Sequence, residues 1–269
     1  MQSFFKKLPR YSLRLLLAYL VYIFTGGVLA YLLPRQARNL PQTDSFYGIG
    51  RGPDRAVLVE EPQDAFARRV EVIRTAQSTL DVCYHCVKSG ETTECFFAEL
   101  LRAADRGVRV RVLLDGTVGG LSGARSNIAL ALRAHPNIEY RIYNPVDLLR
   151  PWEWNALLHD KFILADDRML LLGGRNIGDE YFAPPGYEGA VTYDRDVLVL
   201  NDLAGTPDSS ESVTAQAKIY MDTLWDAPET DKFGTLSPSR RADGLAAQEY
   251  LKETAARWEA AAPSFYLPS

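Results

Sequence analysis

The sequence contains few of the residues that build metal sites and covalent cross-links. Its 269 residues include three cysteines and three histidines. An odd number of cysteines excludes a complete disulfide framework. Cys83 and Cys86 have the spacing of a metal or redox motif, but they lie in an apolar strand pattern, in which residues i and i+3 face opposite sides. A zinc site would need further ligands that the sequence does not offer. We therefore predict a structural role for these cysteines, no metal site and no cofactor.

Acidic residues are absent from the first 43 positions. That stretch carries six basic residues, Lys6, Lys7, Arg10, Arg14, Arg35 and Arg38. The rest of the chain has 24 basic and 34 acidic residues, so the total charge of -4 combines a leader of +6 with a body of -10. Because affinity for nucleic acid comes largely from neutralising phosphates, the acidic body argues against a nucleic-acid partner, although a local basic patch could still exist.

Residues 15–33 form a long run without a charged side chain. About 20 apolar residues are needed to cross the hydrocarbon core of a bilayer. We interpret the run as a signal anchor, a single-pass N-terminal span in the cell membrane. The alternatives are a cleaved secretory signal and a buried core helix. Four basic residues precede the run and two follow it closely, which predicts a cytoplasmic N-terminus and an extracytoplasmic body.

After a linker rich in proline and glycine at 35–55, strand and helix patterns alternate. Strands are predicted at 79–87, 108–114, 138–143, 157–165, 168–173 and 196–200. Helices are predicted at 63–77, 92–106, 126–134, 213–225 and 243–261. This alternation predicts an α/β fold, with a mixed, mostly parallel sheet flanked by helices. The last helix could serve packing, a partner or simple solvation.

The strands at 157–165 and 168–173 predict a hairpin around Asp166 and Asp167. With a two-residue turn, His159 faces Gly174, Lys161 faces Leu172, and Asn176 lies diagonally from His159 on the same face.

That face would hold an imidazole, an ammonium and a carboxamide, with a glycine that leaves room for a substrate group. Such a set suits an anion such as a phosphoryl group, beside which a histidine can act as nucleophile or acid/base. A lone histidine in an ordinary hairpin is an equally good interpretation of the geometry alone.

These residues resemble a known family. His159, Lys161 and Asp166 form the pattern HxK(x)4D, and GGRN at 173–176 follows it. Both are signatures of the phospholipase D, or HKD, superfamily. Further stretches resemble the first half of bacterial cardiolipin synthase-type proteins: LLRAADRGVRVRVLLDG (100–116), HPNIEYRIYNP (135–145), HDKFILADDRMLLLGGRNIGDEYF (159–182) and DRDVLVL (194–200). The resemblance covers roughly residues 60–227 and implies a phospholipase D-like domain at 56–228. With the apolar run and the composition of the remaining stretches, we predict four parts: an anchor at 1–34, the linker at 35–55, this domain, and a further linker with the C-terminal helix at 229–269.

The resemblance also implies roles for individual residues. His159 would attack a phosphodiester and form a phosphohistidine, while Lys161 and Asn176 would bind the non-bridging oxygens. Asp166 would support the site, although its position at a turn makes a structural role an equally good reading. An acid downstream would orient His159, with Asp196 as the candidate and Asp194 as the alternative. The implied mechanism uses no metal.

The sequence departs from the family in having one motif where the family's enzymes use two. His85 and His135 lack the following Lys and Asp, and we interpret them as a core strand residue and a helix-end residue. The site could be completed in a homodimer, or by a second half in a two-motif protein; the third possibility is an inactive or partner-dependent relative.

Three functions follow from these observations. The first is a membrane-anchored phospholipid phosphodiesterase or phosphatidyltransferase, similar to cardiolipin synthase, with phospholipid as substrate. The second is a nuclease of the same superfamily. The third is a non-catalytic membrane protein, although the four motif residues His159, Lys161, Asp166 and Asn176 are all present.

Overall fold

A computed structural model of the chain describes residues 2–29, 32 and 52–266. The predicted linker at 35–55 therefore lies largely outside the described residues. The chain divides into two compact units, which are described separately. The first contains Met1–Gly48 with Val146–Leu157, and the second contains Ile49–Pro145 with Leu158–Ser269.

The first unit contains a long N-terminal helix. Helix α1 (Gln2–Ile23) continues as a short π-helical segment at Phe24–Leu29. Its stretch Tyr11–Leu29 is long and apolar enough to cross a membrane, with a mean hydropathy of 1.7 and no buried residue. The predicted apolar N-terminal helix is therefore present, and its exposure does not fit the alternative of a buried core helix. The segment 146–157 contains one 3₁₀ turn, at Pro151–Glu153.

The second unit is a sheet with helices packed on it. Its strands are β1 (Asp54–Val59), β2 (Thr79–Tyr84), β3 (Arg109–Asp115), β4 (Ile138–Tyr143), β5 (Lys161–Ala165), β6 (Met169–Gly173), β7 (Asp196–Asn201) and β8 (Thr230–Lys232). Its helices are α2 (Pro62–Thr75), α3 (Glu91–Asp105), α4 (Ser126–Ala134), α5 (Asp179–Phe182), α6 (Val213–Trp225), α7 (Pro238–Ala261) and α8 (Pro263–Tyr266). Short 3₁₀ turns occur at Gly123–Arg125 and Pro207–Glu211.

Eight strands of the described chain form one mixed sheet in the order β1-β7-β6-β5-β2-β3-β4-β8. A mixed α/β sheet flanked by helices was predicted, and it is confirmed. The expectation of a mostly parallel sheet is wrong, because only the β2–β3 and β3–β4 pairings are parallel among the described strands. The remaining pairings are antiparallel. Alternating strands and helices show that crossovers occur, but they do not reveal where a later hairpin inserts into the sheet.

The core lies where apolar helix faces cover the sheet. Helix α3 buries Phe96, Phe97, Leu100 and Leu101 completely. Full burial of a side chain of this size contributes about 1.5–3 kcal/mol relative to exposure. The apolar periodicity of this segment therefore explains both its helical conformation and its position against the sheet.

The C-terminal helix α7 packs against other helices within the second unit, so of the three uses left open by its sequence the structure shows packing. Gln248 Nε2 donates a 2.9 Å hydrogen bond to the Ala131 carbonyl of α4. The two helices approach so closely at Gly244 that a Cβ there would lie 2.5 Å from the Leu130 carbonyl oxygen. This helix is therefore part of the packed body.

The predicted hairpin exists, but its register is shifted by one residue. Asp166 and Asp167 both have positive φ, and the Arg168 N–H donates to the Ala165 carbonyl at 2.9 Å, so the turn lies where it was predicted. In the ladder, however, Leu172 pairs with Phe162 rather than with Lys161. The predicted pairs of His159 with Gly174 and Lys161 with Leu172 are therefore wrong, because Arg168 adds one unpaired residue after the turn.

Candidate active site

His159 and Lys161 lie at the start of β5. His159 precedes the strand and is exposed, whereas Lys161 is its first residue and only 7% exposed. Lys161 Nζ donates to the His159 carbonyl at 2.6 Å and lies 3.4 Å from His159 Nδ1. The ammonium therefore fixes the backbone of His159 and approaches its ring. This pair presents an accessible imidazole beside a positive charge.

The charge of Lys161 lies in a partly dehydrated environment. Burial lowers the pKa of Lys161, while the carboxylates of Asp160 and Asp194 act in the opposite direction. A dehydrated ammonium interacts more strongly with an approaching anion than an ammonium in bulk water does. Lys161 is therefore well suited to bind a phosphoryl oxygen.

His85 is the main feature of the site that the sequence interpretation missed. It follows the last residue of β2 and is only partly buried, so its assignment as a core strand residue is wrong. Its ring centroid lies 4.5 Å from that of His159. His85 Nδ1 lies 2.9 Å from the Leu158 carbonyl, and since a carbonyl only accepts, Nδ1 is the donor. Burial lowers the pKa of His85, which favours its neutral form.

Asp115 supports the segment that carries His159. This fully buried carboxylate accepts a 2.9 Å hydrogen bond from the Leu158 N–H. It also accepts from the N–H groups of Thr117 and Val118, at 2.8 and 2.9 Å. Its Oδ2 lies 3.9 Å from His85 Nδ1. An aspartate at the carboxyl end of an apolar parallel strand is the sequence signal that could have indicated this residue.

Asn176 is held beside the end of β2. Its Oδ1 accepts from the Cys86 N–H at 3.0 Å, and its Nδ2 donates to the Tyr181 hydroxyl at 3.2 Å. The predicted diagonal across the hairpin does not occur, since β6 ends at Gly173 and Asn176 lies beyond the ladder. Asn176 is nevertheless placed next to the segment of His85, because Cys86 is the following residue.

The two glycines of the motif make room for two carboxylates at the start of β7, those of Asp194 and Asp196. A Cβ on Gly173 would lie 2.1 Å from Asp196 Oδ1, and a Cβ on Gly174 would lie 2.0 Å from Asp194 Oδ1. Gly174 was predicted to leave space for a substrate group beside His159. In the structure, that space holds the carboxylate of Asp194, one of the groups whose charge acts on Lys161.

Asp196 is completely buried and paired with arginines. Its Oδ2 accepts 3.0 Å hydrogen bonds from Arg69 and Arg175. Its Oδ1 has no hydrogen-bond partner within the described part of the chain. Neither Asp196 nor the exposed Asp194 forms a hydrogen bond with the His159 ring within residues 52–266. The acid expected to orient His159 is therefore not seen in contact with it.

Asp166 lies at the opposite end of β5 from Lys161. Its carboxylate accepts hydrogen bonds from three successive backbone N–H groups, those of Gln77, Ser78 and Thr79, at 2.6, 2.8 and 2.8 Å. A five-residue strand separates Asp166 from Lys161 by roughly 15 Å. Of the two roles left open for Asp166, these contacts support the structural one.

His135 and the cysteines lie in ordinary structural positions. His135 ends α4 and its Nε2 lies 3.1 Å from Asp105 Oδ1, as expected for a helix-end residue. The three cysteines are free thiols, with Cys83 and Cys95 buried. Among the residues that the structure describes, no group of three or more His, Cys, Asp or Glu side chains could hold a metal ion.

Comparison with known proteins shows which family this part of the chain resembles. Residues 70–199, which include β2–β6 and the first four residues of β7, match the family described as "Cardiolipin synthase, PLD-like domain". This segment of the chain is therefore similar to phospholipase D-like domains. Cardiolipin synthase C of Escherichia coli K12 is 39% identical over 152 residues, which are 53% of this chain and 31% of that protein. An uncharacterized Helicobacter pylori protein is 39% identical over 138 residues, covering 47% of this chain and 27% of the relative.

Solved structures share the fold of most of the chain. NucT from Helicobacter pylori superposes with a TM-score of 0.51 at 15% identity, covering 67% of this chain and 99% of NucT. Phosphatidylserine synthase from Haemophilus influenzae superposes with a TM-score of 0.50 at 16% identity, covering 74% of this chain and 43% of that structure. The chain spans only about a third of the length of the curated relatives that it matches.

Proposed function

We propose that this protein is a membrane-anchored phosphodiesterase or phosphatidyltransferase that acts on phospholipids, similar to cardiolipin synthase, with one half-site per chain. The observation that carries the proposal is the exposed imidazole of His159 beside the buried ammonium of Lys161, within a phospholipase D-like domain. Asn176, held beside the end of β2, supplies the further donor that a phosphodiester needs.

In the first step, an imidazole nitrogen of His159 attacks the phosphorus of the lipid phosphodiester. An N–P bond forms while the P–O bond to the leaving alcohol breaks, and the alcohol oxygen takes a proton from a general acid. Lys161 and Asn176 bind the non-bridging oxygens, whose negative charge increases in the transition state. The product is a phosphohistidine on His159.

In the second step, water or an alcohol attacks the phosphohistidine. The P–N bond breaks, the acceptor loses its proton to a base, and the imidazole is regenerated. Water as acceptor gives phosphatidic acid, whereas a lipid alcohol gives a new phosphodiester such as cardiolipin. The general acid and base come from a second motif, in a second copy of this chain or in a second half.

The N-terminal helix supports the choice of lipid as substrate. Its stretch Tyr11–Leu29 is apolar and has no buried residue. An anchored active site meets lipid headgroups at a high effective concentration, which a site in free solution does not. We place the body on the extracytoplasmic side, from the larger number of basic residues before the span.

The test is lipid analysis of cells that express the full chain or its His159→Ala variant. We expect new lipid product with the full chain and none with the variant, because the nucleophile is lost. His135→Gln is the matched control, since it removes an imidazole bonded to Asp105 outside the site. Cardiolipin would identify a synthase, and phosphatidic acid a hydrolase.

Three outcomes would contradict the proposal. Full activity of His159→Ala would remove the proposed mechanism. Unchanged lipids together with His159-dependent cleavage of DNA or RNA by the purified chain would favour the nuclease, the alternative function. If the full chain shows neither lipid activity nor nuclease activity, an inactive or partner-dependent half is favoured.

A further inference from the structure

The segment Val146–Leu157, here called the apolar loop, exposes an unusual amount of apolar surface. Five large side chains are between 41% and 74% exposed: Val146, Leu148, Leu149, Trp152 and Leu157. Scattered apolar side chains are normal on protein surfaces, but a cluster in one short loop indicates a contact with another apolar phase.

The backbone of the apolar loop obtains hydrogen bonds from helix α1. The Tyr19 hydroxyl donates to the Leu148 carbonyl at 3.0 Å, and the Tyr22 hydroxyl donates to the Leu149 carbonyl. A carbonyl in water needs no such partner, whereas a carbonyl in lipid has no other source of hydrogen bonds. These two bonds therefore remove an obstacle to placing the two leucines in a bilayer.

Asp147 satisfies further polar groups within the same loop. Its carbonyl accepts a 2.6 Å hydrogen bond from Trp154 Nε1. Its carboxylate Oδ1 accepts from the Leu149 N–H at 2.8 Å. The carbonyls of Asp147, Leu148 and Leu149 are thus all paired inside the loop or with α1, while the side chains of both leucines are exposed.

The charges of the apolar loop are also paired with one another. Arg150 Nε lies 2.8 Å from Asp147 Oδ2, and Arg150 NH1 lies 2.9 Å from Glu153 Oε2. Pairing lowers the cost of bringing charged groups close to a medium of low dielectric constant. An arginine at the membrane surface can also meet lipid phosphates.

The apolar loop lies against the part of α1 that is apolar enough to span a membrane. The rings of Tyr22 and Trp152 meet edge to face with centroids 6.2 Å apart. A Cβ on Gly26 would lie 3.2 Å from Pro151 Cγ, so the small residue permits close packing. Tyr22 is about 10 Å from the end of the span at Leu29, measured along a helix that rises ~1.5 Å per residue.

We infer that the apolar loop inserts into the lipid bilayer beside α1 and forms a second membrane contact. The occupant of its exposed surface is the acyl-chain region just below the headgroups. The depth of about 10 Å agrees with the 5–10 Å typical of interfacial segments. Since the loop ends two residues before His159 in the sequence, it would tie the start of the motif to the membrane surface. The inference rests on the proposed membrane anchor.

The test uses environment-sensitive labels on the full chain in bilayers of phosphatidylethanolamine and phosphatidylglycerol. A fluorophore is attached to Leu149→Cys, to Leu20→Cys in α1, and to Ile219→Cys on α6 as the exposed control from the body. The wild-type chain, with two buried cysteines and a half-buried Cys86, gives the labelling background. Quenching is measured with lipids brominated along the acyl chain and with aqueous iodide.

We expect the Leu149 label to be quenched at least about twofold more strongly by brominated lipid than the Ile219 label, and to be protected from iodide. Equal iodide quenching at Leu149 and Ile219 would overturn the inference. Protection of Leu149 without lipid quenching would also overturn it and would point to a second copy or another protein as the occupant.

The Leu20 label separates this inference from the proposals beneath it. Lipid quenching at Leu20 with an aqueous Leu149 leaves the anchor in place and rejects only the loop insertion. Aqueous labels at both positions reject the anchor as well. Neither quenching measurement depends on catalysis. The proposed phosphodiesterase activity is therefore tested separately, by the His159→Ala experiment.

Discussion

The two rings of His85 and His159 form a pair in which only one member is accessible. His159 is exposed. The ammonium of Lys161 donates to its carbonyl and lies close to its ring nitrogen Nδ1. His85 is partly buried and donates Nδ1–H to the carbonyl of Leu158, the residue before His159. The exposed imidazole is therefore confined by a neighbour on one side and a cation on the other, which reduces the conformations that it must lose on binding a phosphodiester.

We expect His85→Ala to lower kcat more than it raises KM, because the variant removes a group that confines the nucleophile without touching the bound anion. Asn at this position can still donate to the Leu158 carbonyl, so His85→Asn should recover part of the rate. Steady-state kinetics on a soluble phosphodiester would measure both. Equal rates for wild type and His85→Ala would contradict a positioning role.

The same substitution should change the pH dependence of stability. The pKa of His85 is lowered by burial, with Asp115, Lys161 and His159 as its charged or titratable neighbours. The neutral ring thus contributes stability that is complete above the unfolded pKa of about 6.5 and is lost as pH falls through the lower folded pKa. Urea unfolding at pH 7.5 and 5.5 should show a smaller difference for His85→Asn than for wild type.

The hairpin β5–β6 connects the candidate site at one end with a structural anchor at the other. Lys161 begins β5, and Asp166 follows its last residue and binds the backbone of 77–79. Positive φ at both Asp166 and Asp167 is tolerated because the short polar side chain of aspartate is among the few that enter this region readily. The motif thus extends from the candidate site at Lys161 to the backbone contacts of Asp166 at the turn.

We expect Asp166→Ala to destabilise the fold by about 2 kcal/mol while kcat falls less than about threefold in the remaining folded protein. Asn keeps one oxygen that can accept from Ser78 and Thr79, so Asp166→Asn should lose less stability. Denaturant unfolding with kinetics at a permissive temperature would measure both effects. A large loss of kcat in a stable Asp166→Asn variant would instead assign a chemical role to this carboxylate.

The sequence predicted correctly those helices and strands whose apolar pattern lies within the element itself. Helices α4 and α6 begin and end where periodicity predicted, and β4 does so as well. It was insufficient where tertiary contacts decide. The three-residue strand β8 pairs with β4 and carries no alternating apolar pattern, and β1 was not predicted, although its first two residues fall at the end of the predicted linker.

The residues of the candidate site likewise fall into a group that the sequence predicts and a group that only the folded sheet brings together. His159, Lys161 and Asn176 were predicted from the motif pattern, because spacing along one chain segment encodes them. His85 and Asp115 come from the ends of β2 and β3 and meet His159 or its preceding residue only after the sheet has formed. The hairpin register failed for a related reason, since the extra residue Arg168 changes the pairing without changing the turn dipeptide.

At the scale of the whole molecule, the charge distribution supports the lipid assignment over nucleic acid. The first 43 residues carry +6, which suits an anionic membrane surface, whereas the rest carries -10. The body cannot rely on its overall field to collect polyanions, so the substrate must be brought close by other means. The anchor and the apolar loop would do this for lipids.

A single motif per chain leads to a prediction about assembly. Because one histidine cannot be nucleophile and leaving-group acid in the same step, we expect two copies of the full chain to pair their His159 residues across a two-fold axis. Wild-type and His159→Ala chains carrying different affinity tags are co-expressed, and the mixed dimer is isolated with both tags. Its activity should fall at least about 100-fold below that of the wild-type dimer.

A mixed dimer with His135→Gln, whose histidine lies outside the site, should retain full activity. Half the wild-type rate in the His159→Ala mixed dimer would show that each chain works alone, and an inactive monomer would favour completion by a second half.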